Sequence, residues 1–302
     1  MERCADAPVA LTSAACFSYG GKAYTFGGRK TNGTYTNHIY CYDPQTDQWT
    51  DIGATPLKPR VRPRAVTVEE TVFVGLGGKG QVLIDSTYLT DWWRWIPATN
   101  TWDSLARYPI DRTIGPVMAT DGEVIYSVYG GKHNFERWVM RYNIARDEWE
   151  QMADGLPRMA EYPPRAHSAV GGYCQGRWFF GAGYTRDMSS AFWVEAEMAG
   201  DSVIWHKRTP LSGRRHNAAS VSDGQYIYVV GGEYLGGTVT TGKYYDDILR
   251  YDPQRDAWTR IGHLPDGERE NMCCWIIDNT LYIGLGNDKR NHPCAQLYRI
   301  RL

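Results

Sequence analysis

Residues 217–261 read NAASVSDGQYIYVVGGEYLGGTVTTGKYYDDILRYDPQRDAWTRI, and the order of marks within this stretch decides the fold. An apolar run, Ile227-Tyr228-Val229-Val230, closes on Gly231-Gly232. Further on, Tyr251 opens the turn Asp252-Pro253-Gln254-Arg255-Asp256, and Trp258 follows. Pro fixes φ in such a turn and Asp bonds its own backbone, so the segment predicts a hairpin. The pattern as a whole predicts four strands, over 217–222, 225–232, 246–252 and 256–261. The Gly pair stands where the second strand must turn sharply and pack closely.

The same marks recur outward in both directions. Runs closing on Gly27, Gly77, Gly130, Gly181, Gly231 and Gly284 are spaced by 50, 53, 51, 50 and 53 residues. At fixed phase an aromatic is followed seven positions later by Trp, as in Tyr42/Trp49, Trp95/Trp102, Tyr142/Trp149 and Tyr251/Trp258. The fourth unit keeps Trp205 but lengthens its hairpin through Met198-Ala199-Gly200-Asp201. One four-stranded sheet cannot bury both of its faces alone, so neighbouring units must stack; stacking around an axis gives a β-propeller.

The expected fold is therefore all-β, a six-bladed propeller with four antiparallel strands per blade. The blades fall at about 13–53, 62–106, 112–153, 165–209, 215–262 and 269–302, in a single domain over 1–302. Blade six has three strands, at 271–277, 280–286 and 295–301, and then the chain ends. The segment 5–11 is expected to supply the fourth and fasten the two ends, so that deleting residues 1–11 lowers the melting temperature. Trp93 and Trp95 alternate with Trp92 along one strand, which fits packing between blades.

Composition agrees with this reading. Of 302 residues, 32 are Gly and 15 Pro, which disfavours a helical bundle, while 12 Trp and 21 Tyr supply a large core. The 33 basic and 34 acidic residues nearly cancel, which argues against a nucleic-acid binder. No run approaches the roughly 20 apolar residues of a membrane helix. No signal peptide is visible, so the expected location is cytoplasmic if Met1 is the native start, and periplasmic or surface if a leader was removed. The 7 cysteines lack metal or disulfide spacing and read as buried free thiols. No cofactor or metal is expected, and the protein is expected to be a monomer.

Antiparallel pairing of strands one and two puts the start of the first and the end of the second on one face. That gathers Arg60, Arg62, Arg112, Arg165, Arg215 and Arg269, which precede first strands, with residues that follow the Gly pairs, such as Lys132, Tyr184, Arg186 and Glu233. Together they predict a basic channel mouth. A guanidinium matches carboxylate, phosphate or sulfate two-pronged, so the expected ligand is an anionic small molecule, glycan or acidic peptide. The ligand-binding candidates are Arg62, Arg112, Arg165, Arg186, Arg215, Arg269, Lys132 and Tyr184; the alternative for each Arg is to tie loops to neighbouring blades. His167, Glu233 and Arg186 are the catalytic candidates if the protein is an enzyme, with His216, Glu268 and Glu270 nearby. The Gly-rich loop 233–245 is the largest insertion after a Gly pair and could act as a lid.

The Gly-Gly, Tyr-Asp-Pro and Trp marks are those of kelch repeats, and the chain resembles kelch proteins along essentially its full length. Among them it is similar in scale to the free-standing N-acetylneuraminate mutarotases, through Pro8–Ser13, the stretch Arg186–Trp205 and the Gly-Gly-Glu at 231–233. That resemblance implies acid–base opening of a sugar ring, with an Arg holding the sialic acid carboxylate. Arg186 matches the family's Arg, while Gly183 and Tyr184 stand where the family has a Glu. The copper site of galactose oxidases is not matched, nor is the Glu-x3-Asp-x3-His motif of iron-dependent specifier proteins. Kelch adaptors of ubiquitin ligases carry BTB and BACK domains, for which no residues remain. The leading expectation is a binding propeller, with a sugar mutarotase or epimerase and a protein-interaction scaffold as alternatives.

Overall fold

The computed structural model describes residues 1–80, 87–130, 138–152, 166–185, 188–236 and 242–302. Six four-stranded antiparallel sheets radiate from an axis. Blade one is Ala15–Tyr19, Lys22–Phe26, His38–Asp43 and Gln48–Ala54; blade two is Arg64–Val68, Thr71–Gly75, Trp92–Ile96 and Thr101–Leu105. Blade three comprises Val117–Thr120, Val124–Val128, Val139–Asn143 and Glu148–Gln151, and blade four Val170–Cys174, Arg177–Gly181, Trp193–Ala199 and Ser202–Arg208. Blade five is Ala219–Ser222, Ile227–Val230, Asp247–Asp252 and Ala257–His263. In blade six Cys273–Ile277, Thr280–Gly284 and Leu297–Arg301 are joined by Glu2–Cys4, paired in the register Glu2↔Arg299 to Cys4↔Leu297.

The ring therefore closes with an N-terminal strand, but that strand is Glu2–Cys4 and not 5–11. Pairing stops at Cys4 because Ala5 is held by blade one: its N–H donates to Asp47 Oδ1 at 2.8 Å, and Trp49 Nε1 donates to its carbonyl at 3.0 Å. The chain then crosses inward past Pro8, which has no N–H to pair. Along the way Ala7 and Leu11 donate to the carbonyls of Ala295 and Cys294.

This contact explains the sequence period. In blade three Tyr142 Oη donates to Asp147 Oδ1 (2.7 Å), Asp147 accepts from Ala106 N (2.8 Å), and Trp149 Nε1 donates to Ala106 O (3.1 Å). Blade five repeats it with Tyr251, Asp256, Trp258 and Thr209, and blade one with Tyr42, Asp47, Trp49 and Ala5. Each set clasps the residue leaving the outer strand of the preceding blade. Its indole fills the seam between the two blades.

The apolar core divides accordingly into one cluster per seam. Phe26, Val74 and Trp95 lie between blades one and two; Trp92 and Tyr142 between two and three; Trp178 and Val194 between three and four. Trp193 and Tyr251 fill the fourth seam, Ile248 and Ile283 the fifth, and Trp275 and Tyr42 the last. Trp93 and Trp95 face blade one and Trp92 faces blade three, as alternation requires. All seven cysteines are free thiols. No helix among the described residues is long and apolar enough to cross a membrane.

Candidate functional site

Before each first strand the backbone passes through one left-handed residue. These are Ser13 (φ 59°), Arg62 (54°), Gly115 (60°), Ser168 (54°), Asn217 (54°) and Asn271 (52°). They form a collar around the axis, linked by backbone hydrogen bonds: Asn217 N to Ser168 O, Asn271 N to Asn217 O, Ser13 N to Asn271 O and Arg62 N to Ser13 O. The residue just before each pairs with the residue after the Gly pair, as in His167↔Tyr184, His216↔Glu233 and Glu270↔Asn287. The two sets of residues thus meet on one face. Glycine is required at the pivot: a Cβ on Gly232 (φ 95°) would come within 2.7 Å of the His216 carbonyl.

On the side of blades four to one this collar carries a continuous polar network. Asn217 Nδ2 donates to Glu270 Oε2 at 2.7 Å and to Glu233 Oε1 at 3.2 Å. Asn287 Nδ2 donates to the other oxygen of Glu270 at 2.8 Å and is itself bonded to Thr12 Oγ1 through its Oδ1. His216 Nε2 faces Glu233 Oε1 at 3.1 Å, and Ser189 Oγ lies 2.9 Å from His216 Nδ1. The rings of His167, Tyr184 and His216 pack together, with centroids 5.1–6.5 Å apart.

Two buried carboxylates on one amide cannot ionise alike. Burial and the neighbouring charge of Glu233 push Glu270 above the ordinary carboxylate range. Burial acts on Glu233 too, but hydrogen bonds with His216 and Glu270 outweigh it and pull that carboxyl down to about 2. Tyr244 is raised to about 12 by burial and by the Glu233 charge. One carboxylate is thus fixed as the anion while the other holds a proton more readily.

Opposite the pair stands Arg62. Burial lowers its guanidinium, and Glu270 and Glu233 offset this only in part. Among the described residues its guanidinium has no hydrogen-bond or ion-pair partner. With Ser13, Ser168, Asn217 and Asn271 it lines a cavity of about 60 Å³; the Oδ1 of Asn217, a residue 7% exposed, is buried without a hydrogen-bond partner among the described residues. A liquid water occupies about 30 Å³, so the cavity has room for a carboxylate-sized group. Deeper in the channel Arg64, lowered to about 10 by burial, donates to the Pro116 carbonyl at 2.6 Å beside a cavity of about 170 Å³.

The other arginines are placed differently. Arg215 is fully buried, bonded to both oxygens of Asp247 and to the Gly231 carbonyl, with the Tyr245 ring over it. Arg60 does the same with Asp91 and Leu76 O. Arg269, 3% exposed, holds Asp266 and Gln296. These three sit two residues before the collar, where the side chain turns into the wall behind the mouth. Arg215 and Arg269 thus spend their guanidiniums on partners in the wall. Arg112 is exposed, three residues before Gly115 and so out of phase with them. Lys132, Arg165 and Arg186 lie outside the described residues, as does 237–241 of the loop expected to act as a lid. Glu268 is half-buried and faces Lys289. On the outer part of blade four Glu195, Glu197 and His206 approach one another, but Glu195 already accepts from Arg177 and Arg208.

Sequence reasoning missed Asn217 and Asn287. The signal for Asn217 was its collar phase, shared with Asn271, and for Asn287 its place directly after a Gly motif.

Fold and repeat together define a kelch-repeat β-propeller of six blades. A Kelch motif model matches residues 10–54 and 214–265. The chain is 27% identical over 280 residues to Kelch-like protein 38 of Rattus norvegicus, covering 89% of this chain and 44% of that protein. It is 26% identical over 264 residues to N-acetylneuraminate epimerase of Pasteurella multocida strain Pm70, covering 86% of this chain and 62% of the epimerase. The chain thus spans less than half of the Kelch-like protein and under two thirds of the epimerase. The solved structure of YjhT superposes with a TM-score of 0.79 at 16% identity, covering 98% of this chain and 96% of that one, a likeness of fold.

Proposed function

We propose that this propeller binds an anionic small molecule of the acidic-sugar type at the channel mouth, with Arg62 as the charged anchor. The observation that carries this is the desolvated Arg62 guanidinium, without a partner among the described residues, in one cavity with Asn217, whose buried Oδ1 is unpartnered there too. A ligand with a carboxylate next to a hydroxyl or amide N–H satisfies both. Such an anion would enter a partly desolvated site, where a charge-assisted hydrogen bond is stronger than in water. Arg62 replaces Arg215 and Arg269 in this role because their guanidiniums already hold acidic or carbonyl partners. The test is calorimetric titration with N-acetylneuraminate, the neutral N-acetylmannosamine and an oligoglutamate peptide. Binding of the acidic sugar that is lost in Arg62→Ala supports the reading. Equal binding of the neutral sugar, or retention in Arg62→Ala, overturns it.

A second reading, sugar mutarotation, is favoured by the Glu233–Glu270 pair. Ring opening at an anomeric carbon needs one group to take a proton and one to give it, and two carboxyls held at different proton affinities provide that. The relative named N-acetylneuraminate epimerase points to the same chemistry. Proton NMR of freshly dissolved α-N-acetylneuraminate checks it: anomer equilibration accelerates with catalytic protein, and Glu270→Gln loses the acceleration while still binding. No acceleration by wild-type protein removes this reading and leaves the first intact.

A further inference from the structure

At the seam between the first and last blades two thiols from different inner strands meet. Cys16 and Cys273 stand on facing inner strands, Ala15–Tyr19 of blade one and Cys273–Ile277 of blade six. The surrounding contacts fix both: Cys16 Sγ lies 3.6 Å from the Cys274 carbonyl, and Cys273 Sγ 4.0 Å from that of Ala14. Cys274 itself turns away into the seam with blade five. Cys273 is fully buried, whereas Cys16 is half-buried and lines the 170 Å³ channel cavity that also holds Arg64.

We propose that Cys16 and Cys273 are an oxidisable pair, converted by hydrogen peroxide into a disulfide that joins blade one covalently to blade six. The neighbouring Cys273 thiol lowers the Cys16 thiol and the Arg64 charge assists, while Cys273 is pushed well up, so Cys16 supplies the thiolate. Its sulfur attacks the peroxide oxygen; the O–O bond breaks, and the leaving oxygen departs as water after taking a proton. The Cys16 sulfenic acid is then attacked by the Cys273 sulfur, forming the S–S bond and releasing a second water. Overall two thiols lose two hydrogens and two electrons, and one peroxide becomes two waters. The closed loop runs from residue 16 to residue 273, nearly the whole chain, so the bond restricts the unfolded ensemble strongly.

The test uses the full chain treated with equimolar hydrogen peroxide, alkylated and mapped without reduction. A crosslinked peptide joining residues 16 and 273, two hydrogens lighter than its parts, is the expected result. The free-thiol count falls by two, and the melting temperature rises until dithiothreitol reverses it. Cys16→Ser abolishes both changes, while Cys274→Ala and Cys294→Ser retain them. Full alkylation of Cys16 and Cys273 after oxidation overturns the proposal, as does Cys16 found as sulfinic acid or bonded to another cysteine. Mapping of the wild-type chain decides the matter even where a variant fails to fold.

Discussion

Arg215 and Asp247 meet through two parallel N–H···O bonds, 2.6 Å from Nη1 to Oδ1 and 3.0 Å from Nη2 to Oδ2, both side chains buried. The pair ties the lead-in of blade five to the head of its third strand. Arg215→Ala leaves Asp247 an uncompensated buried charge, a loss of about 3–5 kcal/mol for a pair broken this way. Arg62→Ala removes a guanidinium without a partner among the described residues and moves the urea midpoint little. Denaturation of the two variants beside wild type separates wall from mouth; a large loss for Arg62→Ala with none for Arg215→Ala reverses the assignment.

The two mouth carboxylates leave a mark on the pH dependence of stability. Unfolded, each titrates near 4.5. Folded, Glu270 keeps its proton to higher pH, so above 4.5 the native state binds more protons and stability falls as pH rises through the raised value. Glu233 acts oppositely, its contribution being lost as pH falls from 4.5 towards about 2. Urea midpoints above pH 4.5 should decline less steeply in Glu270→Gln than in wild type, with His216, Arg62 and Tyr244 common to both. Identical slopes show that Glu270 is not raised.

The N-terminal strand is held mainly by backbone pairing and by the Trp49–Asp47 clasp, and less by its surface charges. Glu2→Ala breaks an exposed pair with Arg299, 2.7 Å apart, and should cost under about 1 kcal/mol. Deleting residues 1–6 removes the fourth strand of blade six together with Ala5, and should lower the melting temperature by several degrees. Equal, small effects of the two changes by calorimetry contradict this account of closure.

Asp47 and Asp256 each accept one hydroxyl and one backbone N–H in equivalent clasps. Asp256→Ala should cost about 1.5–3 kcal/mol, the range for hydrogen bonds to a charged group. The same change at Asp47 should match it within the usual context dependence. Blades one and five are not neighbours, so the double variant should show the sum. Marked non-additivity in denaturant titrations would mean that the clasps act through the ring as a whole.

The Gly spacing and the Tyr-Asp-Trp phase were enough to fix blade number and strand order, because both marks are local: one is a tight pivot, the other a side-chain set with Asp five and Trp seven residues after Tyr. The N-terminal strand was legible as a need, since blade six lacked a strand, but its position was displaced. Where pairing ends depends on Trp49 and Asp47 capturing Ala5, a contact more than forty residues away in sequence.

At the mouth, the sequence by itself determined which residues converge on one face. It could not say which way each points. Arg60, Arg62 and Arg215 are alike in a list of basic residues, yet two bury their guanidiniums against Asp91 and Asp247 while the third lines the cavity at the mouth. The left-handed collar makes that choice: two residues before it a side chain turns into the wall, and on it the side chain points to the axis. Glu233, Glu270 and Asn217 likewise become one network only when blades five and six are laid side by side, since sharing a proton is a property of distance and burial, not of sequence spacing.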